Sequence, residues 1–247
     1  MSANIVLELK GLKKKYSQKE AVKGINLSIP AGELFVLLGK NGAGKTTTLK
    51  MAVGLLKPTE GNVLIGGFDM VKQSKEAKSW ISFVPDVPYV YDKLTPKELL
   101  RFIGKLYGMN PRQVADKGKE LLHFFSLDDV ADVLIESFSH GMKQKVILSA
   151  ALLHNPKVLI LDEPMVGLDP ISIKSFKDFL KTKAREGMAI IFSTHTLSLA
   201  EEMADRIGII NHGELISLGT LSELKEKYQS KENLEHMFMK LVEEPKI

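Results

Sequence analysis

Short runs of alternating apolar and polar residues fill the first thirty positions of the chain, where Gly11 and Gly24 interrupt them. A period of two is typical of strands with one buried face, so residues 5–29 are predicted to form a small antiparallel sheet. A further run, residues 61–67, predicts another strand of that sheet. Residues 34–38 are continuously apolar, which predicts a buried strand.

The pattern changes to a helical period over residues 88–154. Thr95, Pro96 and Glu98 form a start signal, with Thr95 as the N-cap, Pro96 at the first helical position and Glu98 closing a capping box. An apolar face at helical spacing follows, made of Leu99, Leu100, Ile103, Leu106 and Tyr107. Packing into the core is the usual role of such a face. A docking surface for a partner is the alternative.

Strand and helix signals then alternate through the second half of the chain. Residues 158–161 and 189–193 predict strands, with a helix over residues 171–185 between them. Residues 206–216 contain two apolar runs joined by Asn211, His212 and Gly213, which predict a hairpin turn. Leu234, Met237, Phe238 and Leu241 recur at helical spacing and predict a short terminal helix. This order predicts an α/β fold.

Composition fits one large domain, or a core with a smaller subdomain. The chain has 247 residues, 44% of them hydrophobic, no cysteine and a net charge of +4. That charge is too small to indicate nucleic acid as a partner. Its apolar runs fall short of the roughly 18 residues that cross a bilayer, so any membrane partner is expected to be another polypeptide. The start of the chain has no signal segment, which predicts a cytoplasmic protein.

A glycine-rich loop between the strand 34–38 and a predicted helix over residues 46–56 fills every fixed position of the phosphate-binding G-x-x-x-x-G-K-[ST] pattern. It consists of Gly39, Lys40, Asn41, Gly42, Ala43, Gly44, Lys45 and Thr46, with Thr47 next. Backbone N–H groups and the helix N-terminus bind phosphates in such loops, while Lys45 supplies a charge and Thr46 a hydroxyl for Mg²⁺. The loop predicts a bound nucleoside triphosphate.

Asp162 and Glu163 come at the end of the apolar strand 158–161. Ligands bind at the carboxyl ends of parallel strands, so Asp162 is predicted to hold Mg²⁺ beside Thr46 and Glu163 to polarise an attacking water. A strand-ending turn is the structural alternative. His195 ends the next strand and is expected at the same edge, where it can contact a phosphate oxygen. Asp169 follows the acidic pair, either in a simple turn or at a neighbouring subunit.

A second anion site is predicted where residues 138–145 precede an apolar segment. Ser139 is expected to cap a helix there, which leaves the amides of His140, Gly141 and Met142 near its start. Two anion sites and one acidic pair in a single chain indicate an ATPase with a composite site.

The order of these motifs resembles the nucleotide-binding subunit of ATP-binding cassette (ABC) transporters over nearly the whole chain. In that family the motifs are Walker A, the signature, Walker B, the D-loop and the switch histidine. The resemblance implies a P-loop NTPase (RecA-like) core with an antiparallel β-subdomain, over residues 1–87 and 156–224. It also implies an inserted helical subdomain with the signature, over residues 88–155, and a C-terminal tail, residues 225–247.

By the same resemblance, two subunits pack head to tail around two Mg-ATP. Ser139 and Gly141 of one chain would then contact the γ-phosphate that Lys45 of the other holds, and Tyr16 would stack on adenine. Tyr16 in ordinary sheet packing is the alternative. Asp86 replaces the family's usual glutamine as a possible ligand of Mg²⁺ or water, but an ionised carboxylate donates no hydrogen bond. His140 replaces the first signature glycine.

The subtype resembles exporters, so a homodimer or heterodimer of ATPase subunits is expected on the inner face of the cell membrane, bound to a separate permease. The permease's coupling helix would meet residues 88–109. A non-transport ABC ATPase acting in repair or on the ribosome is one alternative, although the interval 86–138 is short and the chain has one P-loop. A P-loop kinase is another, and a purely regulatory nucleotide-binding module is disfavoured by Glu163.

Overall fold

A computed structural model describes residues 4–87, 89–228 and 234–243. The strands are β1 Ile5–Tyr16, β2 Lys19–Pro30, β3 Leu34–Leu38, β4 Glu60–Ile65, β5 Phe68–Asp69, β6 Ile81–Val84, β7 Val158–Asp162, β8 Ala189–Thr194, β9 Arg206–Asn211 and β10 Glu214–Gly219. The α-helices are α1 Lys45–Ala52, α2 Ser74–Ser79, α3 Pro96–Leu106, α4 Pro111–Phe124, α5 His140–Leu152, α6 Pro170–Arg185, α7 Leu197–Met203, α8 Leu221–Lys227 and α9 Leu234–Glu243.

The strands form two sheets, which confirms the predicted α/β fold. An antiparallel sheet has the order β2-β1-β4-β5, and a six-stranded sheet has the order β10-β9-β3-β8-β7-β6. Within the larger sheet β3 runs parallel to β8 and β9, and β7 runs parallel to β6 and β8. The carboxyl ends of β3, β7 and β8 therefore meet at one edge, which places the glycine loop, the acidic pair and His195 together.

The first two strands of the antiparallel sheet are longer than their sequence pattern predicts. Gly11 and Gly24 lie inside β1 and β2, at φ +57° and +97°, instead of ending short strands. The β1–β2 register shifts between Leu9 and Leu12, next to Gly11. Glycine at positive φ lets a strand bulge and continue. The strand predicted over residues 61–67 is β4, which ends at Ile65 because two glycines turn the chain there.

Helix boundaries show a similar difference. The helix predicted over residues 46–56 is α1, which ends at Ala52, ahead of Gly54 at φ +71°. The capping box of Thr95 and Glu98 at the start of α3 is confirmed. The predicted tail helix is confirmed as α9, whereas α8 has no counterpart in the sequence prediction.

The apolar face of α3 is divided between core and surface. Leu99 and Leu100 are buried, but Leu106 is 66% exposed and Tyr107 is 41% exposed. The second half of the face is only partly buried: Ile103 packs against the core and the ring of Tyr107 stacks on His154, while Leu106 faces outward. Packing into the core therefore accounts for the first half of this face. A docking surface stays a prediction for the exposed end of the helix.

Two hydrophobic clusters lie on opposite faces of the six-stranded sheet, and β3 contributes to both. Leu34, Val36 and Leu38 pack into a cluster that includes α3, α4, α5 and α9. Phe35 and Leu37 pack on the other face, against the antiparallel sheet and α1. The helical part of the chain is thus fixed to one face of the sheet and the antiparallel sheet to the other.

Some predicted boundaries fall outside the described residues: residues 1–3 of the predicted core, position 88 at the start of the predicted helical subdomain, and residues 229–233 and 244–247 of the predicted tail. Within the described ranges, every helix is too short or too polar to span a lipid bilayer.

Candidate active site

A cleft of about 510 Å³ opens at the edge where the parallel strands end. Ten of the residues predicted for the site line it: Tyr16, Lys40, Asn41, Gly42, Gly44, Lys45, Thr46, Thr47, Asp86 and Glu163. Its lining also includes six residues that the sequence analysis missed: Lys19, Glu20, Ala21, Lys23, His212 and Gly213. Residues from five separate segments of the chain therefore surround one space large enough for a small ligand.

The glycine loop owes its shape to close packing against the β9–β10 hairpin. A Cβ atom on Gly39 would lie 2.5 Å from the carbonyl oxygen of Ile210, so only glycine fits there. Ala43 is buried, and its carbonyl oxygen accepts the N–H of Gly213 at 2.8 Å. Gly44, at φ +110°, starts α1 without any side-chain cap. The first amides of α1 consequently have no side-chain acceptor, which suits an anion.

Lys45 is the buried cation of the site, 6% exposed. Its Nζ donates to the carbonyl oxygens of Gly39, at 2.7 Å, and Lys40, at 3.3 Å. The same Nζ lies 3.6 Å from Oε1 of Glu163. The glycine loop thus holds its ammonium group inward, where a carboxylate compensates the charge.

The two predicted acidic residues have different surroundings. Asp162 is fully buried at the end of β7, where Oδ1 accepts the hydroxyl of Ser193. Its Oδ2 has no hydrogen-bond partner among the described residues. Glu163 has φ +49°, and its Oε1 lies 2.9 Å from Nδ1 of His195. Asp162 thus offers a buried, unpaired oxygen, and Glu163 offers a carboxylate that faces the cleft. These two settings suit different chemical roles.

The setting of Asp162 suits a divalent cation. A buried carboxylate oxygen without a partner is costly unless a ligand completes it. The described residues contain no cluster of three His, Cys, Asp or Glu side chains. Mg²⁺ typically takes one or two protein oxygens and completes its shell with phosphate and water. Asp162 and Thr46 match that pattern, and exposed Asp86 borders the same cleft, where its Oδ1 accepts the N–H of Val87 at 2.9 Å.

Tyr16 borders the cleft from the end of β1. Its side chain is 47% exposed, and Nζ of Lys14 lies 5.2 Å from the centre of its ring. An exposed aromatic ring at the mouth of a cleft is free to stack on a planar ligand. The alternative considered above, ordinary sheet packing, does not fit this exposure.

The predicted second anion site lies apart from the cleft. Ser139 caps α5, as predicted, and accepts the N–H of Met142 at 3.3 Å. A Cβ atom on Gly141 would lie 2.5 Å from the carbonyl oxygen of Gly167, and one on Gly167 would lie 2.4 Å from Nδ1 of His140. The start of α5 therefore packs tightly against the loop that follows β7. None of Ser139, His140, Gly141 or Met142 lines the cleft.

Asp169 also lies outside the cleft, at the start of α6. It caps this helix by accepting the N–H of Ser172 at 2.9 Å, and it lies 3.4 Å from Nζ of Lys145. The hydroxyl and N–H of Ser172, with a smaller contribution from Lys145, hold the pKa of this carboxyl far below its usual range. Asp169 links α6 to α5 in the same chain, a role that the turn interpretation of its sequence includes.

The missed cleft residues share one cause. Gly213 lies in the β9–β10 turn, and a Cβ atom there would lie 2.6 Å from the carbonyl oxygen of Ala21. The N–H of Lys23 donates to the carbonyl oxygen of Gly213 at 2.9 Å. The turn was recognisable from Asn211, His212 and Gly213. Its contact with a strand almost 200 positions away had no local signal.

Comparison with known proteins agrees with this geometry. The family model for ABC transporters matches residues 22–166. The linearmycin resistance ATP-binding protein of Bacillus subtilis is 41% identical over 219 residues, which span 89% of this chain and 70% of that protein.

Solved structures show the same similarity in three dimensions. The ATP-binding subunit of an ABC transporter superposes with a TM-score of 0.91 at 31% identity and covers 96% of this chain and 99% of that one. A dimeric ATP-binding cassette in a post-hydrolysis state, bound to ADP and inorganic phosphate, gives a TM-score of 0.79 at 26% identity, over 87% of this chain and 98% of that one.

Proposed function

This chain belongs to the ABC transporter family as an ATP-binding subunit with ATPase activity, and we propose that it hydrolyses Mg-ATP in a dimer that drives a separate membrane permease. The observation that carries the proposal is the group formed by Lys45, Glu163 and His195 at the cleft, next to the unpaired oxygen of Asp162. A cation, a carboxylate and an imidazole there provide what hydrolysis of the β–γ phosphoanhydride bond requires.

ATP binding rests on the glycine loop. The uncapped amides of α1 and the Lys45 ammonium would hold the β- and γ-phosphates, and Tyr16 would stack on adenine. Lys40, Asn41, Thr47 and the loop glycines supply the surrounding backbone. Mg²⁺, when bound, would offset phosphate charge, with Thr46, Asp162 and Asp86 as its protein oxygens.

Hydrolysis is assigned to Glu163. Its carboxylate would accept a proton from the attacking water, while the nearby His195 would orient the γ-phosphate. Oε1 of Glu163 lies 3.6 Å from Nζ of Lys45. A γ-phosphate at Lys45 would compete for that cation and free the carboxylate for water.

Dimerisation would complete the site. Ser139 and Gly141 do not line the cleft of their own chain, and the start of α5 presents backbone N–H groups suited to an anion. A second chain, identical or related, would place these residues with His140 and Met142 on the γ-phosphate, and Asp169 near the shared boundary. The similarity to a cassette that is a dimer bound to ADP and inorganic phosphate supports dimerisation.

The transport role is proposed to be export. One relative is named a linearmycin resistance ATP-binding protein, and drug resistance fits removal of a drug from the cell. The permease would hold the chain at the inner face of the membrane, with the exposed half of α3 as contact surface.

The proposal includes the division of the chain into a core (1–87 and 156–224), a helical subdomain (88–155) and a tail (225–247). Family membership and the neighbours above do not favour a repair ATPase or a kinase.

Glu163→Gln tests the proposal directly. Because the amide cannot accept the proton, we expect ATP hydrolysis to fall at least about a hundredfold, the usual contribution of a general base. ATP-bound dimer should accumulate in size-exclusion chromatography. Glu186→Gln is the matched control, since Glu186 is exposed and its carboxylate pairs with Lys183, away from the cleft. Hydrolysis at the wild-type rate in Glu163→Gln would refute the assignment.

The partner is tested separately, by purifying the chain from native membranes and identifying what accompanies it. The proposal expects a polytopic membrane protein in stoichiometric amount. Recovery of soluble partners alone would contradict the transport role.

A further inference from the structure

Ser193 is the one side chain that bonds to both acidic residues at once within the described residues. It lies in β8, opposite Asp162 in the parallel β7–β8 register, and is fully buried. Its Oγ donates to Oδ1 of Asp162. The same Oγ accepts the N–H of Glu163 at 3.3 Å, and the main-chain oxygen of Ser193 accepts that N–H at 3.3 Å as well.

The direction of these bonds is fixed by chemistry. A serine hydroxyl has one proton, and the ionised carboxylate of Asp162 can only accept it. The hydroxyl lone pairs are then left for the N–H of Glu163. With Oδ1 of Asp162 held in this way, Oδ2 is the oxygen that remains unpaired. Ser193 thereby determines which oxygen of Asp162 is available.

The same contact fixes the backbone of Glu163. Its φ of +49° lies in the left-handed region, which non-glycine residues adopt only where surrounding contacts hold them. The two acceptors on Ser193 hold the N–H of this residue. The side chain that leaves this backbone reaches both Lys45 and His195. A change at Ser193 would therefore reach the carboxylate indirectly.

We propose that Ser193 is a positioning residue that orients Asp162 for the divalent cation and Glu163 for the attacking water. The inference rests on the roles given to those two residues above. In this role Ser193 would act through the two carboxylates and would not itself touch nucleotide or metal. Its loss should change metal affinity and turnover, and it should not change the affinity for nucleotide without metal.

The experiment compares Ser193→Ala with Ser82→Ala. Ser82 is also a buried strand serine, but its hydroxyl donates to the carbonyl oxygen of Ala151, at 2.6 Å, and contacts no acidic residue. Mn²⁺, used as the probe, is titrated into each ATP complex and followed by electron paramagnetic resonance. We expect Ser193→Ala to weaken Mn²⁺ binding and to lower kcat, each about tenfold. The affinity for ATP measured with a metal chelator present should stay within about twofold, and Ser82→Ala should match the wild type in Mn²⁺ affinity and in kcat.

A double-mutant cycle measures the coupling between Ser193 and Asp162 in Mn²⁺ affinity. A serine with a purely structural role would show no such coupling. In an Asp162→Asn background, Ser193→Ala should cause little further loss of Mn²⁺ affinity, because both changes act through one carboxylate. Additive losses, or equal behaviour of Ser193→Ala and Ser82→Ala at matched thermal stability, would overturn the inference.

The Glu163→Gln variant separates this inference from the proposed function. If Glu163→Gln is inactive and Ser193→Ala is normal, only the positioning role fails. If Glu163→Gln hydrolyses ATP normally, the proposed function itself fails.

Discussion

The starts of α1 and α5 are both helix N-termini suited to an anion, yet they are built differently. Helix α1 begins at Gly44 with no side-chain cap and lies beside a buried cation. Helix α5 begins at Ser139, whose side chain accepts the N–H of Met142, and packs on Gly167. The start of α1 is therefore defined by the charge of Lys45, whereas the start of α5 is defined by its side-chain cap and its close packing on Gly167.

This difference suggests that the start of α1 determines nucleotide binding and the start of α5 determines turnover in the proposed dimer. Lys45 and Glu163 compensate each other across 3.6 Å, so the cleft already contains the charges that a triphosphate requires. At the start of α5, Lys143 and Lys145 pair with Asp92 and Asp169, and the close approach of Gly141 to the carbonyl oxygen of Gly167 fixes the helix against the loop after β7. We therefore expect changes at the first start to act on nucleotide affinity, and changes at the second to act on turnover in the dimer.

The largest effect is expected from Lys45→Ala. Removing the ammonium deletes the proposed charged donor to the phosphates and leaves the loop carbonyls of Gly39 and Lys40 without a donor. Charge-assisted bonds are about twice as strong as neutral ones, so ATP affinity should fall about a hundredfold in isothermal titration calorimetry. Lys50→Ala, on the same helix, is the control and should bind normally. Unchanged ATP affinity in Lys45→Ala would contradict the conclusion that charge at the start of α1 determines nucleotide binding.

A smaller and different effect is expected from Gly141→Ala. The added Cβ would lie 2.5 Å from the carbonyl oxygen of Gly167, so the start of α5 or the loop must move. ATP hydrolysis should fall about tenfold, which corresponds to roughly 1.4 kcal/mol in the barrier. ATP affinity of the single chain should stay within about twofold.

Gly118→Ala is the control for that variant, since Gly118 is also helical and its added Cβ would meet only the flexible end of Leu100, at 3.3 Å. Equal loss of affinity and turnover in Gly141→Ala would show that the two helix starts do not act separately.

The contrast also explains what the sequence could and could not predict. Motif spacing located Lys45, Glu163 and His195 correctly at one edge, because each follows a parallel strand and such ends converge. Ser139 was predictable as a cap because its neighbours define the helix start. Local patterns carry this information within about ten residues.

Contacts between distant segments were not predictable in the same way. Gly11 and Gly24 look like strand breakers in one dimension, whereas the paired strands accept them as bulges. Ser193 belongs to an apolar run and shows its role only when β8 lies next to β7. The contact of Gly213 with Ala21 depends on how two sheets pack, which no local pattern records.

The smallest effect concerns the far end of α5, where His154 stacks on Tyr107 with ring centres 3.6 Å apart. Burial lowers the pKa of His154 to about 4 from 6.5, against a smaller opposing contribution from the main chain of Ile81. The unfolded chain takes up this proton near pH 6.5, so protonation favours unfolding below that pH. The stability that neutral His154 provides is complete above pH 6.5 and is lost as the pH falls towards 4.

His154→Phe keeps a ring for stacking and removes the titration. Between pH 7.5 and 5, wild-type stability in urea should fall by about 1 kcal/mol more than that of the variant, a value reduced from the full linkage because the imidazole is partly exposed. His123→Gln is the surface control and should retain the wild-type loss. At pH 5, hydrogen exchange in α5 should be slower in His154→Phe than in the wild type, with α1 unchanged. Equal slowing of exchange in both helices would mean that α1 and α5 unfold as one unit. That result would contradict the conclusion that the two helix starts behave independently.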